Sequence, residues 1–112
     1  MANIDGHYGL AQQSTLVNQI RAEAKLSNSH VLLLSAGDIN TGAPESNIFN
    51  AEPDIKAMNK IGYDAMAIGN HEFDKPQSVL REQQKLAKFE FVNANIKTTD
   101  GKHAFRPYIT RI

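Results

Sequence analysis

The sequence predicts an α/β fold in which helices pack against a mostly parallel sheet. Two short apolar runs, residues 31–34 (VLLL) and 65–68 (AMAI), contain no charge and have the character of strands buried on both faces. Segments with a helical spacing of apolar residues precede, separate and follow these runs. Helices that alternate with buried strands are typical of βαβ units, so we expect a layered sandwich built on parallel strands.

The first part of the chain is predicted to form a helix and then a strand. An amphipathic helix is expected from residue 10 to about residue 28, because apolar residues recur there at helical spacing. The residues of its apolar face are Leu10, Leu16, Val17, Ile20 and Ala24. Residues 30–35 follow as a strand, and their continuous apolar character predicts a central position in the sheet.

The remainder is predicted to repeat the same alternation after a long loop. Residues 37–50 (GDINTGAPESNIFN) are rich in Gly, Pro, Asn and Ser, and a loop of this length suggests a function. A short helix follows, with Pro53 in its first turn and Gly62 at its end. The later predicted elements are a strand at 65–68, a helix from about 76 to 88, a strand at 91–94 and a strand at 105–112.

Length, charge and hydropathy restrict the class of protein and its partners. A chain of 112 residues is long enough for one domain, and 12 basic residues balance 12 acidic ones, so no net field favours nucleic acid. No apolar run is long enough to span a membrane, and the first residues lack the features of a signal peptide. The abrupt end after a predicted strand suggests a fragment, whose exposed sheet edges would favour self-association.

Two loops rich in potential ligands emerge from the predicted strands. Gly37 and Asp38 follow the first apolar run, and AIGNHEFD, residues 67–74, ends the second. Neighbouring parallel strands bring such loops to one edge of the sheet, which is where α/β proteins bind ligands. The glycine before each polar residue is expected to turn the backbone sharply and to leave room for an ion.

The side chains in these loops suit a divalent ion beside a phosphate. Asp and Asn supply oxygen and His supplies nitrogen, a donor set for Mn, Fe, Zn or similar ions, and the lack of cysteine excludes a thiolate site. A carboxylate can bridge two ions, which together can clamp a phosphate and activate water. Taken alone, Asp38 can also be a simple turn cap, and GNHEFD a structural turn.

The stretches VLLLSAGDINTGAPES and MNKIGYDAMAIGNHEFDKP resemble the calcineurin-like metallophosphoesterases, and within them the 5′-nucleotidase family of exported nucleotide hydrolases. The helix YGLAQQSTLVNQIR resembles that family's first helix, so the likeness extends over nearly the whole chain. The resemblance implies that residues 1–112 are part of the N-terminal metallophosphoesterase domain, a partial metallophosphatase-type sandwich without the specificity domain. It also implies a periplasmic or extracellular location.

The same resemblance implies a role for each matching residue. Asp38 would bridge two divalent ions (Zn, Mn, Co or similar), and Asn70 would bind the second ion. His71 would stabilise the charge of the phosphate or protonate the leaving group, while Asp74 orients the imidazole. Asp74 has an alternative use as the N-cap of the following helix. Glu72 receives a supporting role only.

The implied activity is hydrolysis of nucleoside 5′-phosphates, of UDP-sugars, or of both, by metal-activated water. The family completes its site with an upstream Asp-x-His motif and later histidines, so the chain alone is expected to be inactive and to bind ions weakly or not at all. Asp5 and His7 have the spacing of that motif but lack a preceding strand, and we interpret them as coincidence. His30 and His103 are interpreted as surface residues.

Two other classes of function remain open from the sequence. One is a different calcineurin-like enzyme, such as a cyclic nucleotide phosphodiesterase or a thiosulfohydrolase. The other is a non-catalytic α/β binding module in which GNHEFD is only a turn.

Overall fold

The structure, a computed structural model, describes residues 9–39 and 51–111. Three helices alternate with three short strands in the order α1, β1, α2, β2, α3, β3, which confirms the predicted alternation. Their bounds are α1 Leu10–Leu26, β1 Leu34–Ser35, α2 Glu52–Ile61, β2 Ala65–Ala67, α3 Gln77–Leu86 and β3 Glu90–Val92, with a 3₁₀ helix at Asn70–Phe73. No described helix has the length and apolar character needed to cross a membrane.

All described strand pairs are parallel, and the order across the sheet is β1, β2, β3. Leu34 lies opposite Ala65, and Met66 lies opposite Phe91. The prediction that the first strand is central is wrong for the described residues, because β2 occupies the middle and β1 an edge. Leu32 and Leu34 are 56% and 58% exposed, because their side chains project on the face of the sheet away from α2 and α3.

The hydrophobic core lies between the sheet and the pair α2 and α3. Met66 of β2 and Phe91 of β3 are each 1% exposed, and they contact helical side chains that are equally buried. The core cluster comprises Ile39, Ala51, Ile55, Met58, Met66, Leu80, Phe89, Phe91 and Phe105. Because the helices cover one face, the two loops that follow β1 and β2 are held at the rim of a rigid layer.

The opposite face of the sheet carries a shallow apolar depression of about 500 Å³. Leu32 and Leu34 form one side of it, and Val92 and Tyr108 form the other. The exposed fraction of Tyr108 is 74%. Apolar side chains are therefore exposed on this face over the described part of the chain.

Helix α1 does not bury the apolar face that the sequence predicts. Val17 is buried, whereas Leu16 (56% exposed) and Ile20 (43% exposed) remain in contact with solvent. The helix is instead fastened by Arg21, whose guanidinium donates hydrogen bonds to the carbonyl of Ile61 and, at 2.9 Å, to that of Gly62. Polar contacts with the end of α2 thus replace much of the expected packing.

The end of the described chain differs from the predicted strand at 105–112. Arg106 forms an isolated parallel bridge with Val92, and its carbonyl accepts a hydrogen bond of 2.9 Å from the Asn93 N–H. No strand continues from there through residue 111. Pro107 has no N–H to donate, which explains why the pairing stops after one residue.

Candidate metal and phosphate site

The loops after β1 and β2 meet at one edge of the sheet, as predicted. Asp38 lies three residues beyond the end of β1, and Asn70 three residues beyond the end of β2. The backbone N–H of His71 donates a hydrogen bond of 2.9 Å to Asp38 Oδ1. The parallel register of the strands therefore places the predicted bridging carboxylate directly against the segment that carries the other candidates.

Gly37 and Gly69 lie where the two loops approach each other closely. A Cβ on Gly37 would lie 2.4 Å from the Ala67 carbonyl oxygen, and one on Gly69 would lie 2.1 Å from Asp38 Oδ1. Both distances are far below contact distance, so a side chain at either position would push the loops apart. The absent side chains therefore allow the two loops to approach each other, and Gly37 also makes the expected sharp turn, with φ 87°. Whether they leave room for an ion stays a prediction.

The backbone at Asp38 has an uncommon conformation. Its φ is 59°, in the left-handed region, directly after Gly37 at φ 87°. Aspartate tolerates this region better than most residues, although such positions still carry some strain and are often found at functional sites. The turn projects the carboxylate of Asp38 toward the 3₁₀ helix instead of along the strand direction.

Glu72 is buried between the two loops. It is 1% exposed, and its carboxylate accepts three backbone hydrogen bonds. Oε2 accepts from the N–H of Asp38 at 2.9 Å and of Gly69 at 2.8 Å, and Oε1 accepts from the N–H of Ile39 at 2.9 Å. The sequence indicated only a supporting role; the signal that it offered was a carboxylate in the first turn of a helix that begins after a glycine.

His71 and Asp74 form a pair at the outer side of the site. Imidazole Nδ1 lies 2.6 Å from Asp74 Oδ2, and the two side chains are 43% and 34% exposed. This hydrogen bond is the main cause that raises the pKa of His71 above its usual 6.5; partial desolvation opposes the rise, and the charges of Asp74, Asp38 and Glu72 add to it. With Nδ1 occupied, Nε2 is the ring nitrogen left for another partner.

The contact with His71 favours one of the two uses considered for Asp74. Helix α3 begins at Gln77, and the position before it is held by Pro76. Asp74 instead ends the 3₁₀ helix, where its N–H donates to the His71 carbonyl at 3.3 Å. The N-cap assignment is therefore wrong for this helix, and the side chain of Asp74 is directed at the imidazole.

The candidate ligands are of the type that a dinuclear metal centre uses, but they are fewer than such a centre requires. Asp38 and the exposed Asn70 offer oxygen ligands at the same edge, and the hydrogen bond from His71 leaves the second carboxylate oxygen of Asp38 for an ion. Among the described residues there is no group of three or more His, Cys, Asp or Glu side chains that could hold an ion. The residues thus fit one portion of such a centre, and their roles as ligands remain predictions.

The remaining candidates lie apart from the site or outside the described residues. Asp5 and His7 are not among the described residues, so the interpretation of their motif as coincidence stays untested. His30 and His103 are exposed, as expected of surface residues. Among the aromatic residues, Phe91 is buried and Tyr63 lies 6.4 Å from Phe89 between ring centroids, whereas Phe73, in the 3₁₀ helix of the site, is 43% exposed.

A cavity of about 300 Å³ adjoins the end of the 3₁₀ helix and was not indicated by the sequence. Phe73 and Phe105 form two of its walls, and the Arg81 guanidinium lies 4.5 Å from the centroid of the Phe105 ring. Arg81 also donates to the carbonyl of Ala104 at 3.0 Å. The residues come from segments far apart in sequence, which is why no local motif pointed to this cavity.

Solved structures of calcineurin-like phosphoesterases and 5′-nucleotidases superpose on the chain, including the parallel sheet whose two loops carry the candidate ligands. The calcineurin-like phosphoesterase YfkN from Bacillus subtilis matches with a TM-score of 0.65 and 31% identity, over 86% of this chain and 32% of that one. A 5′-nucleotidase precursor from Thermus thermophilus matches with a TM-score of 0.71 and 36% identity, over 78% of this chain and 16% of that one. The sulfate thiohydrolase SoxB matches with a TM-score of 0.77 at 23% identity, which shows a common fold alone.

The sequence relatives include UshA proteins and 5′-nucleotidases. Protein UshA of Salmonella pullorum is 59% identical over 104 residues, and a 5′-nucleotidase of Vibrio cholerae is 56% identical over 105, each match covering 92% of this chain. Over most of its length the chain therefore has high identity to UshA and 5′-nucleotidases, and its structural neighbours include a calcineurin-like phosphoesterase and a 5′-nucleotidase. It spans about a fifth (19%) of the length of these curated relatives. No protein-family model matches the sequence.

Proposed function

We propose that this chain supplies one part of the catalytic centre of a metal-dependent phosphohydrolase that acts on nucleoside 5′-phosphates, on UDP-sugars, or on both. The observation that carries the proposal is the contact at 2.9 Å between the His71 N–H and Asp38 Oδ1, which unites the loops of two parallel strands. Identity of 56–59% to UshA and 5′-nucleotidase supports the choice of substrate class. The 23% identity to a thiohydrolase favours no second activity, because it concerns the fold alone.

Asp38 and Asn70 would hold divalent ions such as Zn, Mn or Co together with ligands from elsewhere in the whole protein. When bound, the ions would polarise the phosphoryl oxygens and lower the pKa of a water nucleophile. Because Asp38 and Asn70 provide fewer protein ligands than an ion requires, the 112-residue chain by itself is proposed to be inactive and to bind ions weakly.

His71 would act on the phosphate through Nε2. Asp74 holds Nδ1 at 2.6 Å and so fixes the direction of the ring. From this position an Nε2 proton can be donated to a phosphoryl oxygen or to the departing oxygen, which stabilises charge that develops in the transition state. Asp74 would act by keeping the imidazole in that orientation rather than by contacting substrate.

The location and the partners of the whole protein are proposed on the same basis. The family resemblance supports a periplasmic or extracellular site of action, where nucleotides and nucleotide sugars would be the partners. The exposed leucines at β1 support self-association of the chain when it is studied alone.

Replacement of His71 tests the proposed chemistry in the whole protein that carries this segment. We expect His71→Ala to lower kcat for release of phosphate from a nucleoside 5′-monophosphate by about 10²–10⁴-fold, because a positioned proton donor contributes that much. Turnover is measured with Mn²⁺ present, and folding is checked by circular dichroism.

His103→Ala is the matched control, since His103 is exposed and lies in a distant turn that pairs with Lys97. Its turnover should equal that of the unaltered protein. Unchanged turnover of a folded His71→Ala protein would contradict the catalytic assignment and favour the non-catalytic binding module.

A further inference from the structure

We propose that Glu72 is a positioning residue whose buried carboxylate joins the two site loops and thereby sets where the Asp38 carboxylate stands relative to Asn70 and His71. The proposal rests on the proposed function in so far as these residues bind ions and phosphate. The hydrogen bonds themselves can be tested without any catalytic activity.

The first argument is the number and origin of the hydrogen bonds. An ionised carboxylate can accept about four, and Glu72 accepts three from backbone N–H groups in two different loops. Oε2 is shared between Asp38 and Gly69, so one atom fixes both loop backbones to within 2.9 Å of itself. Removing that atom leaves both donors without their partner.

The second argument is reciprocity between the loops. The Glu72 carboxylate accepts from the Asp38 N–H, while the Asp38 carboxylate accepts from the His71 N–H, one residue before Glu72. Each loop therefore supplies an acceptor to the other. The donor that contacts the Asp38 carboxylate thus lies in the loop whose backbone at Gly69 is bonded to Glu72.

The third argument is burial. Glu72 is 1% exposed, whereas Asp38, Asn70 and Asp74 are exposed to solvent. A buried carboxylate is costly unless fully hydrogen-bonded, and here the backbone N–H groups provide those bonds. The burial also separates Glu72 from an incoming ion or substrate, so its effect is exerted through the residues that it holds.

The test compares Glu72→Gln and Glu72→Ala with the unaltered protein, using hydrogen exchange and Mn²⁺ binding. Gln keeps the shape but offers one acceptor oxygen, and its NH₂ group opposes at least one of the three N–H donors. We expect the amides of Asp38, Ile39 and Gly69 to exchange at least about tenfold faster in Glu72→Gln, and faster still in Glu72→Ala. Exchange in the core strands β2 and β3 should remain as in the unaltered protein.

Titration of the whole protein with Mn²⁺ provides the functional measurement. Loss of a group that orients metal ligands typically weakens metal binding by about 10–100-fold, and we expect Glu72→Gln to fall within that range. Because KM reflects substrate contacts that Glu72 does not make, the loss in turnover should appear mainly in kcat. Glu82→Gln is the matched control, since Glu82 is exposed on α3 and its carboxylate contacts Lys85 at 3.4 Å.

Three outcomes would overturn the inference. Unchanged exchange of the three amides in both variants would show that Glu72 does not join the loops. Faster exchange with unchanged Mn²⁺ affinity would show that it joins them without positioning a ligand. Equal weakening by Glu82→Gln would assign the effect to net charge. If the unaltered protein lacked phosphohydrolase activity, the proposed function would fail while the exchange and Mn²⁺ results still decided the role of Glu72.

Discussion

Asp74 contacts the imidazole of His71 and so determines the protonation of that histidine. The pKa of His71 is raised above 6.5 chiefly by the hydrogen bond to Asp74. Because the folded-state pKa exceeds the unfolded value, the pair stabilises the folded chain below pH 6.5, and this contribution is lost as the pH rises through the higher folded-state value. Both groups are partly exposed, so salt will weaken the effect.

Replacement of Asp74 should therefore lower the pKa of His71. We expect Asp74→Asn, in protein freed of ions by a chelator, to return that pKa toward 6.5, because the charged acceptor of the Nδ1 proton is lost. The measurement is an NMR titration of the imidazole protons, with exposed His103 as an internal reference. A pKa that stays where it is in the unaltered chain would show that Asp74 is not the cause.

Arg21 shows how a helix with little buried surface is held in place. Its guanidinium donates to the carbonyls of Ile61 and Gly62, which lie where α2 ends and where unpaired carbonyls carry partial negative charge. Gly62 itself adopts φ 89°, a left-handed helix ending in which its N–H donates to the carbonyl of Met58. Hydrogen bonds from Arg21 thus link α1 to the end of α2, and the Tyr63 hydroxyl adds a hydrogen bond of 3.2 Å to Gln13 Oε1.

Arg21→Ala should lower the free energy of unfolding by about 1–2 kcal/mol, because hydrogen bonds from a charged donor are lost and only part is recovered from water. Urea unfolding followed by circular dichroism provides the measurement. Gln19→Ala is the control, since Gln19 is exposed on the same helix. If Arg21→Ala changed the free energy of unfolding by less than about 0.5 kcal/mol, which is usual for surface substitutions, α1 would be held by packing instead.

The elements themselves were predicted well where hydrophobic periodicity decided them. All three helices occur where expected, because apolar periodicity and Gly or Pro at the ends are local signals. The three parallel strands overlap the predicted ranges, but β1 comprises only Leu34–Ser35 of the predicted 30–35, and the strand predicted at 105–112 is absent from the described residues. The position of β1 was not predictable in this way. A run of leucines indicates that a strand needs cover on both faces, but the order of strands depends on contacts between distant segments.

The candidate site was predicted in its main contact and missed in what holds it together. Asp38 and the segment from Asn70 to Asp74 could be paired because parallel neighbours deliver their loops to one edge. The three hydrogen bonds of Glu72 could not be foreseen, since they depend on the orientation of backbone N–H groups in the folded loops. The close approach of Asp38 to Gly69 could not be foreseen for the same reason, since a Cβ on Gly69 would lie 2.1 Å from Asp38 Oδ1 only in the folded loops.

Taken as one body, the described chain is covered by helices on one face of its sheet and exposes apolar side chains on the other. Leu32 and Leu34 lie at the β1 edge with more than half of their surface exposed, beside the depression of about 500 Å³. A strand edge with unpaired backbone groups and neighbouring apolar side chains is a surface on which another strand can pair. This combination is the basis for the proposed self-association.

Leu34→Lys should reduce that self-association, since an edge lysine opposes strand pairing through its charge and hydration. Light scattering during size-exclusion chromatography, over a range of concentrations, measures the mass of the 112-residue chain. Leu26→Lys is the control, because Leu26 is 90% exposed at the end of α1, away from the sheet. A monomeric mass at every concentration in the unaltered chain would contradict the proposal.

The hydrogen bonds between the two loops have a kinetic consequence as well. Glu72 is separated in sequence by 34 positions from Asp38 and by 33 positions from Ile39, the two residues of the first loop to which it is bonded. Contacts of such separation carry the entropy cost of closing a long loop, so we expect them to form after the local contacts within each helix. During synthesis Asp38 leaves the ribosome before Glu72. Under the proposed function, an ion that needs both Asp38 and Asn70 would therefore be bound only after the two loops have come together.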